Sequence, residues 1–184
     1  ELNRSAERVS PNIHNPFATD FLNGRRAPAS NMRLWGSLMG LKLSTDVGAI
    51  FRSLVEATSF ASKVIIDGVE SAGLKIDKVI ATGGIAQKSP LAVQMVADVL
   101  NKEIEICSCK QSGALGAAIF AAAAAGVYPD FRSAQRSMIH KNSKVYYPDT
   151  ESHKFLLKRF GLYRKAVDYT EKVQEEFFNF NEID

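Results

Sequence analysis

Hydrophobic side chains recur between residues 47 and 72 at intervals of three and four, which places them on one face of a helix. Residues 44–46 (Ser-Thr-Asp) supply a helix cap with an early negative charge, and Gly73 supplies a stop. The pattern therefore predicts a long helix over 47–72, with Glu56 on its polar, solvated side. The positions of the apolar face are Val47, Ile50, Phe51, Leu54, Val55, Thr58, Ala61, Val64, Ile65 and Val69.

A second pattern is a β-branched stretch at 79–82 that stops at Gly83 and Gly84, followed by a helical pattern over 89–100 that opens with Ser-Pro. This order predicts a buried strand, a tight turn and a helix. Glycine has no Cβ, so the turn can adopt a positive φ and a flat ligand can approach the main chain closely. Serine is a good N-cap and proline suits the first helical position, so the N–H groups and dipole of that helix favour an anionic or polar ligand near the turn.

The turn matches neither of two common nucleotide motifs. The dinucleotide fingerprint G-x-G-x-x-G is absent, and no glycine stands directly before Lys88 as a Walker A loop requires. Two glycines after a strand are also an ordinary way to connect a strand to a helix. The spacing alone therefore leaves two interpretations open, a ligand site and a plain connection.

Short strands are predicted at 17–22 and 103–107, and an extended segment at 144–148. An alanine-rich apolar run at 114–127 is predicted to be a buried helix. Strands that alternate with helices indicate an α/β fold, in which helices flank a mixed sheet. Ligands of such sheets bind where strand ends meet helix starts, which is a second reason to place a site at Gly83 and Gly84.

The loop after the first predicted strand carries a turn signal and a pair of arginines, Arg25 and Arg26, among proline, serine and asparagine. Two arginines can hold a phosphate or carboxylate group. The alternative is that they pair with neighbouring acidic side chains of the chain itself.

Composition favours one globular domain over residues 1–184, with 1–16 as a linking segment and 151–184 as a terminal helix. The chain has 23 basic and 20 acidic residues without a basic block, which argues against nucleic acid as a partner. The run at 114–127 is too short for a membrane span. Cys107 and Cys109 have no suitable partners for a zinc site among three scattered histidines, so we expect reduced thiols in a cytoplasmic protein.

Several motifs occur together in an order that resembles the C-terminal half of an FGGY-family carbohydrate kinase. Within that family they are most similar to the L-ribulokinases, and the resemblance covers residues 17–138. The motifs are Asn-Gly-Arg-Arg at 23–26, Trp-Gly at 35–36, Leu-Val-Glu-Ala-Thr at 54–58, Ala-Thr-Gly-Gly-Ile-Ala-x-Lys at 81–88, Ala-Asp-Val-Leu-Asn at 97–101 and Ala-Leu-Gly-Ala-Ala-Ile-Phe-Ala-Ala at 114–122.

The resemblance implies a ribonuclease H-like domain of the actin, hexokinase and Hsp70 ATPase type. It implies phosphoryl transfer from ATP, with Mg²⁺, to the terminal hydroxyl of L-ribulose, giving L-ribulose 5-phosphate in arabinose catabolism. Gly83, Gly84, Gln87 and Lys88 are then the nucleotide contacts, and Lys88 lies on the first turn after the glycine loop, along the adenine or ribose edge. The segment 113–116 packs behind the nucleotide.

In the family the first phosphate loop and the catalytic aspartate precede the point at which this chain begins. No residue here is therefore expected to be catalytic or to bind a metal, and Asp98 is expected to be a packing or capping residue. Without an N-terminal domain the chain is expected to be inactive alone, and a homodimer is allowed. Ala49 and Leu54 depart mildly from the family signature, which bears on the choice of sugar. The alternatives are another FGGY kinase, for xylulose, glycerol or gluconate, and a non-catalytic actin-like nucleotide-binding module.

Overall fold

The computed structural model of the chain describes residues 1–139 and 144–180. Helices dominate the described part, and most of them coincide with predicted ones. None of these helices combines the length and the apolar character that a membrane span needs. The helices are α1 (Leu2–Glu7), α2 (Val47–Ser71), α3 (Gly83–Lys88), α4 (Pro90–Leu100), α5 (Ser112–Ala124), α6 (Phe131–Met138) and α7 (Thr150–Phe180).

The strands are short and form two separate sheets. The first two strands pair antiparallel, and the other three form a mixed sheet in chain order, in which the third strand is parallel and the fifth antiparallel to the fourth. The mixed sheet and the helices around it confirm the predicted fold class. The strands are β1 (Phe17–Ala18), β2 (Leu38–Met39), β3 (Val79–Ala81), β4 (Ile104–Ile106) and β5 (Lys144–Tyr146).

The ends of α2 confirm the signals in the sequence. Asp46 adopts an extended conformation, and its carboxylate accepts a hydrogen bond of 2.8 Å from the backbone N–H of Ala49, which satisfies one of the free donors at the helix start. Gly73 has a φ of +87°, a conformation that favours glycine, two residues after the helix ends at Ser71.

The hydrophobic core consists of two clusters that share α4. In the first cluster, Phe60 of α2 packs with Met95 and Val99 of α4 and with Tyr163 of α7. In the second cluster, Ala97, Leu100 and other residues of α4 cover the sheet residues Ile104 and Ile106. Helix α4 therefore fixes the position of the sheet relative to the two long helices.

The prediction that Glu56 is solvated was wrong, because this residue is 3% exposed. Its Oε2 atom accepts a hydrogen bond of 2.7 Å from Nε of Arg159 on α7, and its Oε1 atom lies 3.4 Å from Nε of Arg52. The polar side of α2 faces α7 at this point. A buried carboxylate is stable there because two guanidinium groups surround it.

Arg159 also holds the amino-terminal segment in place. Its guanidinium donates to the backbone carbonyls of Asn12, Ile13, Asn15 and Pro16, at distances between 2.8 and 3.3 Å. The segment that leads into β1 is thereby attached to α7.

Three other predictions need correction or lie outside the described residues. Helix α5 is not buried, because Ile119 is its sole fully buried residue and Phe120 is 65% exposed. The strand predicted over 17–22 is reduced to two residues. The terminal helix, predicted over 151–184, is confirmed to Phe180, and residues 181–184 lie outside the described part of the chain.

Trp35 marks the contact between the loop before β2 and the end of α7. Its ring lies edge-on to the rings of Phe177 and Phe178, with centroid distances of 5.0 and 5.6 Å. The side-chain amide of Gln174 accepts from the backbone N–H of Trp35 at 2.8 Å and donates to its carbonyl at 3.1 Å. The last turns of α7 are therefore tied to the body of the domain.

Candidate functional site

The carboxyl ends of β3 and β4 lie at the same edge of the mixed sheet, because these two strands are adjacent and parallel. The backbone N–H of Cys107 extends this pairing by donating to the carbonyl of Ala81 at 3.0 Å. Helix α3 follows the first strand and α5 follows the second, so both helices begin at this edge. In α/β folds the crevice outside the carboxyl ends of parallel strands is the usual position of a ligand.

The segment predicted as a tight turn is instead a short helix, α3. Thr82 is extended, and Gly83 then reverses the chain with a φ of +88°. Gly83 is therefore the residue of the pair whose backbone favours glycine, while Gly84 continues as the second residue of the helix. Strand β3 was predicted to be buried, but Ile80 is 47% exposed.

The predicted association between the glycine pair and the start of the next helix was wrong. The glycine pair opens α3, and the four residues 85–88 separate it from Ser89, a rise of about 6 Å along a helix. Ser89 is the N-cap of α4, as predicted, but its hydroxyl accepts from the N–H of Ala92 at 3.4 Å and also bonds to Oδ1 of Asn3 at 3.2 Å. The start of α4 is thus capped by the protein itself.

The structure nevertheless brings the predicted contact residues together. Gly84, Gln87 and Lys88 are spaced three and four residues apart on α3, so they share one face, and all three are exposed. Lys88 is the last residue of α3 and not, as predicted, on the first turn after a loop. Gly83 stands at the start of the same helix.

The glycines at this edge face open space. Among the described residues, leaving aside the chain neighbours of each glycine and the backbone of its own helix, no atom lies within 4 Å of the position that a Cβ would take at Gly83, Gly84, Gly113 or Gly116. Two of these glycines belong to α3 and two to the first turns of α5, so both helices present bare backbone. A planar group can therefore contact the main chain of either helix without displacing a side chain.

Gln87 links α3 to the loop between β4 and α5. Its Nε2 atom donates to the carbonyl of Cys109, in the loop between β4 and α5, at 3.4 Å. A cavity of about 290 Å³ opens beside α3, where Thr82, Ile85 and Ala86 meet the wall of α2. Its surface is mainly apolar, but none of the four predicted contact residues lines it.

Two predicted alternatives are decided by side-chain partners. Arg25 forms an ion pair with Glu171 of α7, so for this arginine the pairing with an acidic side chain is confirmed. Asp98 is a packing residue, one of the two predicted roles: it is buried, and it accepts from the N–H of Asp149 and from the amide of Gln94, each at 2.8 Å. Burial raises the pKa of the Asp98 carboxyl, while these hydrogen bonds oppose the change.

A comparison with known protein families identifies the family of this chain. A model of the C-terminal domain of the FGGY family of carbohydrate kinases matches residues 1–125. The chain belongs to the FGGY family. Ribulokinase of Vibrio parahaemolyticus is 41% identical over 174 residues, which cover 95% of this chain and 31% of that protein. Ribulokinase of Shouchella clausii is 34% identical and covers 91% of the chain and 31% of its own length. The chain thus spans about a third of the length of these relatives.

Solved structures of FGGY kinases share the fold. A ligand-bound xylulose kinase from Lactobacillus acidophilus superposes with a TM-score of 0.82 at 24% identity, covering 96% of this chain and 35% of that one. A glycerol kinase from Plasmodium falciparum, solved with ADP, gives 0.72 at 23% identity, covering 92% and 33%. The predicted actin- and hexokinase-like fold, with a mixed sheet flanked by helices, is therefore confirmed.

The donor groups of residues 1–139 and 144–180 do not fit a Mg²⁺ site. Among the residues that the structure describes, no group of three or more histidine, cysteine, aspartate or glutamate side chains could hold a metal ion. The residues of the glycine-lined edge, Gln87 and Lys88, offer an amide and an ammonium group. This edge suits the uncharged base and ribose of a nucleotide better than a hard cation, which requires oxygen ligands.

Proposed function

We propose that this chain forms the adenine-nucleotide side of an ATP-dependent sugar kinase, with Gly83, Gly84, Gln87 and Lys88 as contacts of the nucleotide. The observation that carries the proposal is the open edge at the carboxyl ends of β3 and β4, where α3 and α5 present glycine backbone and nothing fills the space of a Cβ. Membership of the FGGY family supplies the chemical class.

Each contact residue has a chemical reason to be there. The bare backbone at Gly84 lets an adenine ring lie flat against α3, where any larger side chain would displace it. The ammonium group of Lys88 can donate to a ring nitrogen or a ribose oxygen, since lysine has three donors and no acceptor. Gln87 already donates to Cys109, and its Oε1 atom can accept from an amino group of the base.

The reaction is phosphoryl transfer from ATP to a sugar hydroxyl, in which the protein positions the two groups and neutralises developing charge. This chain contributes the position of the nucleotide. The sugar site, the catalytic aspartate and the ligands of Mg²⁺ belong to polypeptide outside these residues, so the chain alone is inactive. A cytoplasmic location and assembly into a homodimer complete the proposal.

The proposed sugar is L-ribulose, phosphorylated at its terminal hydroxyl. The support is that relatives named ribulokinase are 34 to 41% identical to this chain over more than nine-tenths of it, whereas the kinases for xylulose, gluconate and glycerol resemble it at 18 to 24% identity. A kinase for one of those other substrates is the alternative.

Substrate turnover tests the choice of sugar. The complete enzyme that contains this chain should release ADP from ATP fastest in the presence of L-ribulose, when L-ribulose, D-xylulose, glycerol and gluconate are compared at equal concentration. A higher kcat/KM for one of the other three would identify a different FGGY kinase.

Calorimetric titration of the chain with ATP and ADP tests the nucleotide site. We expect saturable heat with both nucleotides, because the proposed contacts involve the base and ribose that they share. The absence of heat at millimolar nucleotide, in a sample whose circular dichroism shows the native helix content, would favour a non-catalytic module.

A further inference from the structure

A second cavity of the described structure lies away from the glycine-lined edge. Its volume is about 570 Å³, and it opens between the loop 20–29 and the helices α2 and α7. No residue of α3, of the loop after β4 or of α5 lines it. Its size is in the range of cavities that bind small molecules, roughly 300–1,000 Å³.

Part of the charge in this cavity is already neutralised by the protein. Arg25 pairs with Glu171, donates through Nε to the carbonyl of Ala29 at 2.8 Å and lies over the ring of Phe21. Asp20 accepts a hydrogen bond of 2.7 Å from the hydroxyl of Tyr163. Desolvation of Tyr163 and the carboxylate beside it raise the pKa of that hydroxyl well above its ordinary value, so it stays a donor.

Two arginines in the lining are not neutralised in this way. Arg26 comes from the loop and Arg164 from α7, and both side chains are exposed. Within residues 1–139 and 144–180, neither has a hydrogen bond or an ion pair. Guanidinium groups are the preferred partners of phosphate oxygens, because their planar donors match the geometry of the anion.

The other residues that line the cavity suit the part of a ligand that carries hydroxyl groups. Asp168, one turn after Arg164 on α7, presents a carboxylate to the cavity, and Asp20 has a second oxygen beyond the one that Tyr163 engages. Carboxylates accept hydrogen bonds from hydroxyl groups. Val64 and Ile65 of α2 and Val167 of α7 form an apolar wall against which the C–H face of a sugar ring can pack.

We propose that this cavity binds a small phosphorylated sugar, with Arg26 and Arg164 at the phosphate group and Asp20 and Asp168 at the hydroxyl groups. Both signs of charge are needed for this assignment. The two carboxylates would repel inorganic phosphate bound alone. The two unpaired arginines would lack an anionic partner if the ligand were a neutral sugar. The proposal does not depend on nucleotide binding at α3, because the two sites share no residue.

Calorimetric titration with ribose 5-phosphate, inorganic phosphate and ribose tests the site. We expect ribose 5-phosphate to bind more tightly than either of the other two probes. Arg26→Ala and Arg164→Ala should each weaken its binding by about tenfold, since a hydrogen bond between charged groups is roughly twice as strong as one between neutral groups. Arg8→Ala is the matched control, because Arg8 is an exposed arginine beside α1, outside the cavity.

Asp168→Asn separates a sugar phosphate from a bare phosphate. It should weaken the binding of ribose 5-phosphate and leave that of inorganic phosphate unchanged or stronger, since the lost charge repels an anion. Equal affinity for the two phosphates, no binding of ribose 5-phosphate at millimolar concentration, or equal loss in the Arg8→Ala control would overturn the proposal. All four substituted side chains are exposed, so each variant should keep the melting temperature of the parent within a few degrees.

Discussion

Arg159 donates from Nε to the Oε2 atom of Glu56 at 2.7 Å, across 103 residues of sequence, and neither side chain is more than 3% exposed. Burial raises the pKa of the Glu56 carboxyl, and the guanidinium groups of Arg159 and Arg52 oppose that change. The pair thus costs desolvation energy, which the close contact with the guanidinium groups offsets in part. Removing one partner leaves the other charge buried without compensation.

Glu56→Gln should therefore destabilise the protein strongly, by about 3–5 kcal/mol in the free energy of unfolding. Urea denaturation followed by circular dichroism measures the loss. The control is Asp67→Asn, which breaks the partly exposed pair between Lys63 and Asp67 on the same helix. That variant should lose no more than about 1 kcal/mol. Equal stability of the two variants would show that the buried pair does not stabilise the fold.

Gly84→Val should weaken the binding of ATP by at least about tenfold, or 1.4 kcal/mol, without a comparable loss of stability. The side chain enters the open space where we place the adenine ring, and valine is a better helix former than glycine. Calorimetric titration and urea denaturation measure the two quantities. Gly161→Val is the control, since Gly161 also faces open space but lies on α7. A folded Gly84→Val protein with the parent affinity would contradict the placement of the nucleotide.

Gly83→Ala, unlike Gly84→Val, should mainly reduce stability, by about 1–2 kcal/mol in the free energy of unfolding. The φ of +88° at Gly83 brings a Cβ too close to the backbone carbonyl, whatever space surrounds the residue. Thermal unfolding detects this loss, and Gly84→Ala serves as the control with a helical backbone. If the two alanine variants were equally stable, Gly83 would not be the strained position of the pair.

Lys88→Ala should weaken ATP binding modestly, by about twofold to fivefold, because an exposed lysine makes a solvated contact. ADP should lose the same factor as ATP, since the proposed contact is to the base or ribose. Lys158→Ala, an exposed lysine on α7, provides the reference. A loss confined to ATP would move the lysine from the ribose to the γ-phosphate.

The start of α7 should depend on pH through Asp149. Its carboxylate accepts from the N–H of Ser152 at 2.7 Å, and this hydrogen bond lowers the pKa of Asp149 below the ordinary value. A lowered pKa in the folded state means that the cap stabilises above the ordinary value of about 3.9 and that this stabilisation disappears as the pH falls through the folded value.

Asp149→Ala should accordingly lower the melting temperature at about pH 7 and have a smaller effect near pH 2. Asp149→Asn is the control, since asparagine caps a helix without titrating. The difference in melting temperature between Asp149→Asn and the parent should therefore change with pH only as the Asp149 carboxyl of the parent titrates. A constant effect of Asp149→Ala across this range would argue against the carboxylate as the cap.

Local signals explain what could be predicted from the sequence. The boundaries of α2 and α4 follow from Asp46, Gly73 and Ser89, whose effects depend on neighbours within four residues. The same holds for Asn101, which ends α4 in the left-handed conformation. The candidate contact residues could be placed at a sheet edge because the β-branched run and the glycines are adjacent in sequence.

Long-range packing explains what could not be predicted. The burial of Glu56 depends on Arg159, which no periodicity on α2 can reveal. The exposure of α5 could not be predicted from its alanines. An apolar composition shows that a helix can be buried, but not that another element packs over it. The helical course of α3 was missed because two glycines usually indicate a turn.

The chain has one tryptophan, Trp35, and its contact with the end of α7 has a practical consequence for spectroscopy. Trp35 lies against Phe177 and Phe178 and is bracketed by the amide of Gln174, far along the chain from the proposed nucleotide contacts. Its fluorescence emission should shift to longer wavelength when the last turns of α7 detach. The emission of the tryptophan thus reports the docking of the terminal helix without any added label.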